Sequence, residues 1–495
     1  MASENKTIPQ EYNWNSFSGW EGDGFYYGPK GSYRLGANLE TRKVENGVMV
    51  TNKQTVDHTY LGTIKGVSDY YDRTYSTVDG STWKIYSAGA FKFNMAIGTI
   101  AHDTILWWGR MKRSAGTVLQ PYGVSAFNTD CKVHRFDANL GGVTYSVASF
   151  TPTTELTWAI YSRWSIPTLS TPTGIYWGFW NIVYFLTTAE AVSAVLTLQT
   201  TADIIGITVY QNQYRIYWND GNIGNVSSWD GVSTTTQQTV SYYNSPVMSV
   251  VSDWPYDWAV FGESGITSDL YRVAGLERQA VRNNIEFSDG NSRYFTSQIG
   301  IKDGIVYIWG QNKNLASCIY SYGSYYPWVA RSLVPENLTV WDVSVSRFSF
   351  WEQTIYSYYS NNVYKRSILF KWEINTTVGT ITSFPVTGNI GIDTEKELTK
   401  IYVGYKLYNA SDTIKIYART NADPFDTNSS PAFVLLKTIT GSTSKRQEKI
   451  TDLPIRTAGI GKWNQIEFRV DITNASTNSA IFFGLRAFYT DNPWD

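Results

Sequence analysis

The sequence predicts an all-β protein, and three observations support this prediction. Aromatic residues are unusually frequent, with 36 Tyr, 20 Trp and 22 Phe. A short strand-turn-strand unit recurs through the middle of the chain, and near the C-terminus apolar and polar residues alternate with a period of two. Aromatic and β-branched side chains fit a pleated, half-buried surface, so this composition favours strands over helices.

The repeat lies between residues 70 and 370. Each unit has an aromatic-rich strand, a polar or Gly-containing turn, and an aliphatic residue followed by Tyr or His. The dipeptide recurs seven times, at steps of 41 to 54 residues: Ile85-Tyr86, Val133-His134, Ile175-Tyr176, Ile216-Tyr217, Leu270-Tyr271, Ile319-Tyr320 and Val363-Tyr364. A chance match is the alternative, because such dipeptides are common in this composition. The even spacing favours a real repeat.

The period of the repeat indicates the architecture. About 40 to 50 residues is the length of a four-stranded propeller blade. The α-solenoids of similar period need amphipathic helices, and the best helical candidate here, Leu276 to Asn283, is only two turns long. We therefore predict a seven-bladed β-propeller whose repeated dipeptides lie on equivalent strands.

The segment before the first blade should close the ring. An open propeller would leave two unpaired sheet edges, and a strand from one terminus can cover them. Val44 to Thr51 has strand character, so we expect it to pair with the blade that contains Tyr356 and Tyr364. The predicted domains are then an arm rich in Gly and aromatic residues over 1–40 and a propeller with its closing strand over 41–388.

Residues 389–495 are predicted to form a small antiparallel β-sandwich. Apolar residues at 414, 416 and 418 alternate with Lys415, Tyr417 and Arg419, the pattern of a sheet with one buried face. The expected strands are Leu398 to Tyr408, Thr413 to Thr420, Phe433 to Thr440, Gln465 to Thr473 and Ala480 to Thr490. Five or six such strands make a sandwich the simplest arrangement.

The sequence shows no pattern typical of a catalytic, metal or cofactor site. His58, His102 and His134 lack metal-ligand spacing, and no Gly-rich nucleotide motif follows a strand. Cys131 and Cys318 fall in the second and sixth blades, so we expect two thiols and no disulfide. Ser76 to Trp83 resembles the Asp box of sialidases, with Asp79 directly before Gly80, and we expect only a hairpin turn there.

The overall charge and hydropathy exclude further classes. The net charge of −1 argues against a dedicated nucleic-acid-binding protein. No apolar stretch is long enough to span a membrane, and the first residues lack the apolar region of a secretory signal.

Aromatic side chains are the candidate contacts for a carbohydrate or a receptor, since sugar CH groups stack on Trp and Tyr rings. The candidates are Trp107, Trp108, Tyr325, Tyr326 and Trp328. Packing between blades is the competing role for each of them. The cationic run Arg110, Lys112 and Arg113 could meet phosphate or an acidic partner, or form a solvated hairpin.

Three stretches resemble bacteriophage minor structural and tail proteins, in which an arm leads into a propeller and then a β-sandwich. They are Gly31 to Val50 (GSYRLGANLETRKVENGVMV), blade segments such as TWKIYSAG and DLYRVAG, and Lys462 to Asp491 near the end of the chain. The resemblance implies a non-catalytic virion component, tail nozzle-like or tail-tip-like, that is made in the host cytoplasm and acts in assembly and host attachment.

The resemblance also implies partners: other tail proteins, further copies of the chain in a homo-oligomer, and a host-surface glycan or receptor. The alternative function is a lectin-like propeller that binds a carbohydrate or receptor, with a propeller glycosidase as a third possibility.

Overall fold

The computed structural model of the chain describes strands and their connections along most of its length. The described residues are 10–15, 17, 19–20, 32–33, 35–37, 39–40, 47–50, 55–59, 63–68, 74–79, 82–87, 90–96, 104–127, 130–138, 143–151, 168–253, 255–263, 267–285, 298–311, 317–323, 338–342, 347–351, 354–359, 362–367, 378–383, 386–387, 396–420, 431–441, 447–450, 460, 463–474 and 480–491. Side chains are described for a subset of these residues.

Strands account for all of the regular structure in the described residues. The N-terminal strands are β1 (Gln10–Asn15), β2 (Gly19–Trp20), β3 (Ser32–Tyr33), β4 (Leu35–Ala37), β5 (Leu39–Glu40) and β6 (Val48–Val50). They are followed by β7 (Thr55–Thr59) and by the first two blades: β8 (Thr63–Ser68), β9 (Thr74–Asp79), β10 (Thr82–Ser87), β11 (Ala90–Ala96), then β12 (Thr104–Lys112), β13 (Leu119–Phe127), β14 (Asp130–Phe136), β15 (Val143–Phe150).

Blades 3 to 5 follow in the same order. Their strands are β16 (Thr168–Thr171), β17 (Gly174–Phe179), β18 (Ile182–Thr187), β19 (Val192–Thr197); β20 (Ala202–Tyr210), β21 (Gln213–Asp220), β22 (Ile223–Trp229), β23 (Gln238–Tyr242); and β24 (Val247–Asp253), β25 (Tyr256–Glu263), β26 (Thr267–Ala274), β27 (Glu277–Ile285).

Blades 6 and 7 and the C-terminal strands complete the chain. They are β28 (Gln298–Lys302), β29 (Ile305–Gln311), β30 (Ser317–Gly323), β31 (Leu338–Asp342); β32 (Arg347–Trp351), β33 (Thr354–Tyr359), β34 (Asn362–Ser367); and β35 (Val378–Thr382), β36 (Val386–Thr387), β37 (Lys396–Lys406), β38 (Thr413–Thr420), β39 (Val434–Thr440), β40 (Gln447–Ile450), β41 (Gln465–Thr473), β42 (Ile481–Asp491).

Seven four-stranded antiparallel sheets form the propeller, as the sequence predicts. Each sheet is a meander, and the first strand of a blade contacts the first strand of the next from β8 through β12, β16, β20, β24 and β28 to β32. The first strands therefore line the central axis, which is the arrangement of a β-propeller.

The repeated dipeptides do not all lie on equivalent strands, so that prediction is wrong in part. Five of them lie on the third strand of their blade, but Ile175-Tyr176 and Ile216-Tyr217 lie on the second strands β17 and β21. In blade 3 the third strand carries Val183-Tyr184 instead. Both middle strands of a blade are covered on two faces by neighbouring blades, so the same residue types suit either strand. The helical candidate Leu276 to Asn283 falls largely in strand β27.

The ring is closed by an N-terminal strand, but by a different one from that predicted. β7 pairs with β34 in blade 7, with Val56 opposite Tyr364 and His58 opposite Val363. The predicted segment Val44 to Thr51 instead contains β6, which pairs with β5 and β42. β6 (Val-Met-Val) is buried, whereas β7 (Thr-Val-Asp-His-Thr) is exposed to half-buried because it is the outermost strand of its blade. Strand character in the sequence was therefore not sufficient to identify the closing strand.

The sandwich is built from both ends of the chain. One sheet has the order β40-β37-β42-β6-β5, with β1 also on β42, and the other has the order β39-β38-β41-β35-β4, with β36 also on β41. The five expected C-terminal strands are observed within two residues at each end. Strands from the predicted arm and from just before residue 388 also belong to these sheets, so the propeller is inserted in the sequence of the sandwich.

Aromatic rings fill the spaces between blades. The ring of Tyr176 in blade 3 lies 5.0 Å from Tyr214 and 5.7 Å from Trp229 in blade 4, between ring centroids. Phe150 in blade 2 lies 5.3 Å from Trp177 in blade 3. One buried hydrophobic cluster includes Val306 and Tyr322 of blade 6 together with residues of both sandwich sheets, so the two domains share a core.

Candidate interaction surface

Two clusters of hydrogen-bonded charged side chains lie on one face of the propeller. Because each blade is a four-stranded meander, the turns between strands 1 and 2 and between strands 3 and 4 of all blades lie on the same face. We call this face the lower face. Its turns in adjacent blades touch, since the Ser114 N–H of blade 2 donates to the Thr188 carbonyl of blade 3 at 3.0 Å.

The first cluster lies between blades 2 and 3 and is centred on Glu190. Arg135 donates to both carboxylate oxygens of Glu190, at 2.6 and 2.7 Å, and the Tyr122 hydroxyl donates to Oε1 at 2.8 Å. A second cation, Arg113, has its Nη1 atom 3.9 Å from Glu190 Oε2, and its Nε donates to Gln120. Burial, followed by the adjacent Glu190 carboxylate, raises the pKa of Tyr122 well above its usual value. The phenol is therefore fixed as a proton donor to Glu190.

The second cluster lies between blades 4 and 5 and is deeply buried. Arg215 and Asp257 form an ion pair at 2.8 Å, with side chains 3% and 0% exposed. The Thr208 and Tyr217 hydroxyls donate to the same carboxylate, at 2.5 and 2.6 Å. Burial raises the pKa of Asp257, while Arg215 and the two hydroxyls act in the opposite direction. Arg215 also donates to the Val273 and Gly275 carbonyls of blade 5.

These two clusters act as connections between blades. The Glu190 carboxylate accepts from one arginine nitrogen at both oxygens and from a hydroxyl, so it is a poor proton acceptor. Asp257 is enclosed, so a substrate could not reach it. Both clusters can hold adjacent blades in register. Neither of these two clusters contains a pair of accessible carboxylates suited to glycoside hydrolysis.

Two exposed tips on the lower face lie outside these clusters. In blade 2 the β12–β13 hairpin exposes Val118 and Leu119, by 52% and 45%, and Lys112 lies opposite Leu119 in the ladder. In blade 4 the turn after β22 exposes Val232 by 86%.

The blade 4 tip is a rigid turn. The Asp230 carboxylate accepts the Val232 and Ser233 N–H groups, at 2.9 and 2.7 Å, and the Ser233 hydroxyl at 2.6 Å. These donors lower the pKa of Asp230 to about 2. Gly231 has φ +81°, and a Cβ there would lie 2.6 Å from the Tyr214 ring. The turn therefore requires glycine next to the aspartate.

The side chains of the five predicted carbohydrate contacts lie outside the described residues. Trp107 and Trp108 lie in β12, but their side chains are outside the described residues. Tyr325, Tyr326 and Trp328 also lie outside the described residues, between β30 and β31. The carbohydrate contacts of these five residues therefore stay a prediction. Of the cationic run, Arg110 and Lys112 are exposed and Arg113 belongs to the Glu190 cluster.

Asp79, the two cysteines and the three histidines were the other residues singled out in the sequence. Asp79 lies opposite Thr82 where β9 turns into β10, which confirms the expected hairpin. Cys131 is buried and not in a disulfide, and the Cys318 side chain is outside the described residues. His58 contacts Asp57 at 2.8 Å, and His134 is buried and accepts the Ser146 N–H. His102 is outside the described residues.

The described part of the chain has no group of three or more His, Cys, Asp or Glu side chains arranged to hold a metal. Nor does it contain a helix with the length and apolar character needed to cross a membrane.

Sequence reasoning did not identify Glu190 or the Arg215–Asp257 pair. Glu190 is the single charged residue of blade 3, in a turn at φ +65°. Asp257 follows a Trp-Pro-Tyr segment at the start of β25 and looks like an ordinary turn residue. A lone charge in an aromatic-rich blade is a usable signal, but its partner lies in another blade and only the ring geometry identifies it.

Comparison with known proteins gives similarity at the level of overall architecture. No protein-family model matches the sequence, and the search of curated proteins found no match. Among solved structures, a virginiamycin B lyase from Staphylococcus aureus crystallised with quinupristin is 10% identical, with a TM-score of 0.43 over 64% of this chain and 99% of the lyase.

Two further solved structures give similar values. The RRP9 WD40 repeats are 9% identical, with a TM-score of 0.43 over 64% of this chain and 99% of that chain. The Neurospora crassa Pan2 WD40 domain is 10% identical, with a TM-score of 0.43 over 64% and 96%. The propeller assignment rests on the seven sheets described above.

Proposed function

We propose that the chain is a non-catalytic structural component of a bacteriophage particle, located in the tail, that acts in assembly and in attachment to the host. Such a protein acts through rigid surfaces rather than through a reaction centre. Its partners are other tail proteins and further copies of itself.

The observation that carries this proposal is the construction of the sandwich. Two of the stretches that resemble phage structural proteins, Gly31 to Val50 and Lys462 to Asp491, are far apart in sequence but meet in the same sandwich. β6 pairs with β42, and β4 pairs with β35, which pairs with β41. The resemblance therefore covers segments that fold together, which supports a common domain architecture.

The polar clusters give independent support for a scaffold role. Glu190, Asp257 and Glu467 are each engaged by an arginine, and the Asp471 carboxylate is held by Arg469 at 2.7 Å and accepts the Thr380 hydroxyl. Charged groups paired in this way fix blades and strands in place, at the cost of accessibility to a ligand.

The proposal is tested on particles. Virus particles purified by density gradient from the host that produces this chain should contain it in a fixed ratio to the other tail proteins, by quantitative mass spectrometry. Particles from a virus with an amber codon early in this gene should lack it and lose infectivity. Absence of the chain from intact, infectious particles would contradict the proposal. A soluble monomer that binds glycans on an array, together with that absence, would establish the lectin-like alternative.

A further inference from the structure

Charge is distributed unevenly around the propeller. Blade 2 contains five Lys and Arg residues and two Asp and Glu residues, a balance of +3. Blades 4 and 5 each have a balance of −2, blade 3 has −1, blades 1 and 7 have +1 each, and blade 6 is neutral. Three consecutive blades (7, 1 and 2) thus carry +5, and the next three (3, 4 and 5) carry −5. The near-zero net charge of the chain conceals this separation.

Four of the five exposed aliphatic side chains described in the propeller lie at two charged tips on the lower face, and the fifth, Val56, lies on the outer strand β7. The basic tip, defined as Arg110, Lys112, Val118 and Leu119, combines two exposed cations with two exposed aliphatic side chains. The acidic tip, defined as Val209, Asp230 and Val232, combines a carboxylate that stays ionised down to low pH with aliphatic side chains 40% and 86% exposed. An apolar centre with a charged rim is the usual composition of a protein–protein contact.

The two tips cannot meet within one molecule. They belong to blades 2 and 4, and blade 3 lies between them in the closed ring. The sandwich does not reach them through the contacts described, because β4 and β5 contact β31 of blade 6, which is at least two blade positions away from blades 2 and 4.

We infer that the basic tip of one copy docks against the acidic tip of a second copy of this chain. The inference rests on the proposed assembly function and names the partner of this surface. The opposite charges of the two tips favour this contact, whereas two basic tips or two acidic tips repel each other. Since every copy offers both tips, the contact builds a symmetric dimer in which both pairs form, or a closed ring of copies.

Sedimentation velocity of the full chain, with one substitution that reverses a charge and one that adds a charge, tests the inference. Lys112→Glu reverses the exposed charge on the basic tip, and Val232→Lys places a cation on the acidic tip. Neither side chain makes a described hydrogen bond, so both variants should fold with the melting temperature of the unmodified chain. Each single variant should weaken self-association about tenfold or more, because like charges then face each other.

The double variant Lys112→Glu/Val232→Lys provides the decisive comparison. It again places opposite charges in every contact, so its self-association should exceed that of either single variant, although the apolar contact of Val232 is not restored. The matched control is Tyr243→Lys, a 76% exposed residue in the connection between blades 4 and 5 on the opposite face, which should leave association unchanged. Raising salt from about 0.05 M to about 0.5 M should weaken association of the unmodified chain, since screening then acts within a few ångströms.

A chain that remains monomeric at low salt, or single variants that associate as the unmodified chain does, would overturn the inference. Because the particle test of the proposed function does not depend on these variants, the two failures are distinguishable. If particles contain the chain but the purified chain stays monomeric, the inferred self-association is wrong and the proposed function stands. If the purified chain self-associates but is absent from particles, the proposed function is wrong and the inferred contact between copies stands.

Discussion

At the scale of single residues, the propeller depends on charges that are buried and paired across blades. Arg215 and Asp257 belong to different blades, and each needs the other because an isolated buried charge is costly. The Thr208 and Tyr217 hydroxyls and two backbone carbonyls also contribute to the network. Such a network opposes slippage of blade 4 along blade 5, since any shift would separate the charges.

Replacing Arg215 with methionine should destabilise the protein by about 3–5 kcal/mol, because the Asp257 carboxylate would remain buried without its cation. Chemical denaturation followed by Trp fluorescence measures this loss. The control is Arg110→Met, at an exposed position, which should change stability by about 0.5 kcal/mol or less. Equal effects of the two substitutions would show that the buried pair does not hold the blades.

Asp230 should give the blade 4 turn a pH-dependent stability. Its pKa is lowered from 3.8 to about 2 by donors that bind the carboxylate. Its contribution is therefore present in full above about pH 4 and is lost as the pH falls through about 2. Asp230→Asn keeps an oxygen acceptor but does not titrate.

The difference in denaturation midpoint between the unmodified chain and the Asp230→Asn variant should be constant above about pH 5 and shrink towards pH 2. Ser233→Ala removes one donor and should move the titration of Asp230 upward, as carboxyl NMR would show. A difference that does not depend on pH would contradict this assignment.

At the scale of elements, ring closure is the decisive feature. β7 supplies the fourth strand of blade 7, and its Asp57 contacts Lys365 of β34 at 3.0 Å. The pairing of β7 with β34 also joins the chain segment that enters the propeller to the segment that leaves it. Without β7, the polar groups along the edge of β34 would be unpaired and available for aggregation.

Two fragments that differ only in β7 test its role. Both fragments expose the part of the blade 6 core that the sandwich covers, so the comparison isolates β7. Residues 53–368 retain β7 and should be the more soluble fragment, with a cooperative melting transition, whereas residues 62–368 should aggregate more because the edge of β34 is uncovered. Size-exclusion chromatography and circular dichroism distinguish these outcomes. Equal solubility and melting of the two fragments would show that another segment closes the ring.

At the scale of the whole molecule, the sandwich is a clamp formed by the two ends of the chain. β1 pairs with β42 along six residues, and Arg486 of β42 lies 2.9 Å from Glu11 of β1. The core of the sandwich includes Trp14, Leu39 and Val48 from the N-terminal part together with Phe482 and Leu485. The C-terminal residues therefore cannot complete their core alone.

Residues 378–495 should be unfolded or aggregated when produced alone, because the four N-terminal strands of the sandwich are missing. Co-production with residues 1–52 should restore a soluble complex, detected by co-purification and by the appearance of a cooperative melting transition. In that experiment Trp14→Ala in the N-terminal piece should weaken the complex strongly, since losing a buried Trp costs about 3–5 kcal/mol. A folded, monomeric fragment 378–495 would show that the N-terminal strands are dispensable.

Much of this architecture could be predicted from local patterns. The period of the repeat is set by the length of chain that makes one blade, and so the seven blades were correctly predicted. Residues 414 to 418 alternate because one face of their sheet is buried, so the C-terminal strands were also predicted correctly. The Asp-Gly turn after β9 was predicted because its chemistry is local.

Tertiary structure alone decided the features that depend on distant partners. Thr55 to Thr59 is too polar to be recognised as the closing strand, and its role exists only because β34 is adjacent in space. Asp257 is unremarkable in sequence and Glu190 stands out only as the lone charge of its blade, and each is paired with an arginine that lies in another blade. The N-terminal strands belong to the sandwich because long-range pairing with β42 and β35 places them there. A local pattern records what a residue requires of its immediate neighbours, whereas burial and charge pairing depend on the closed ring.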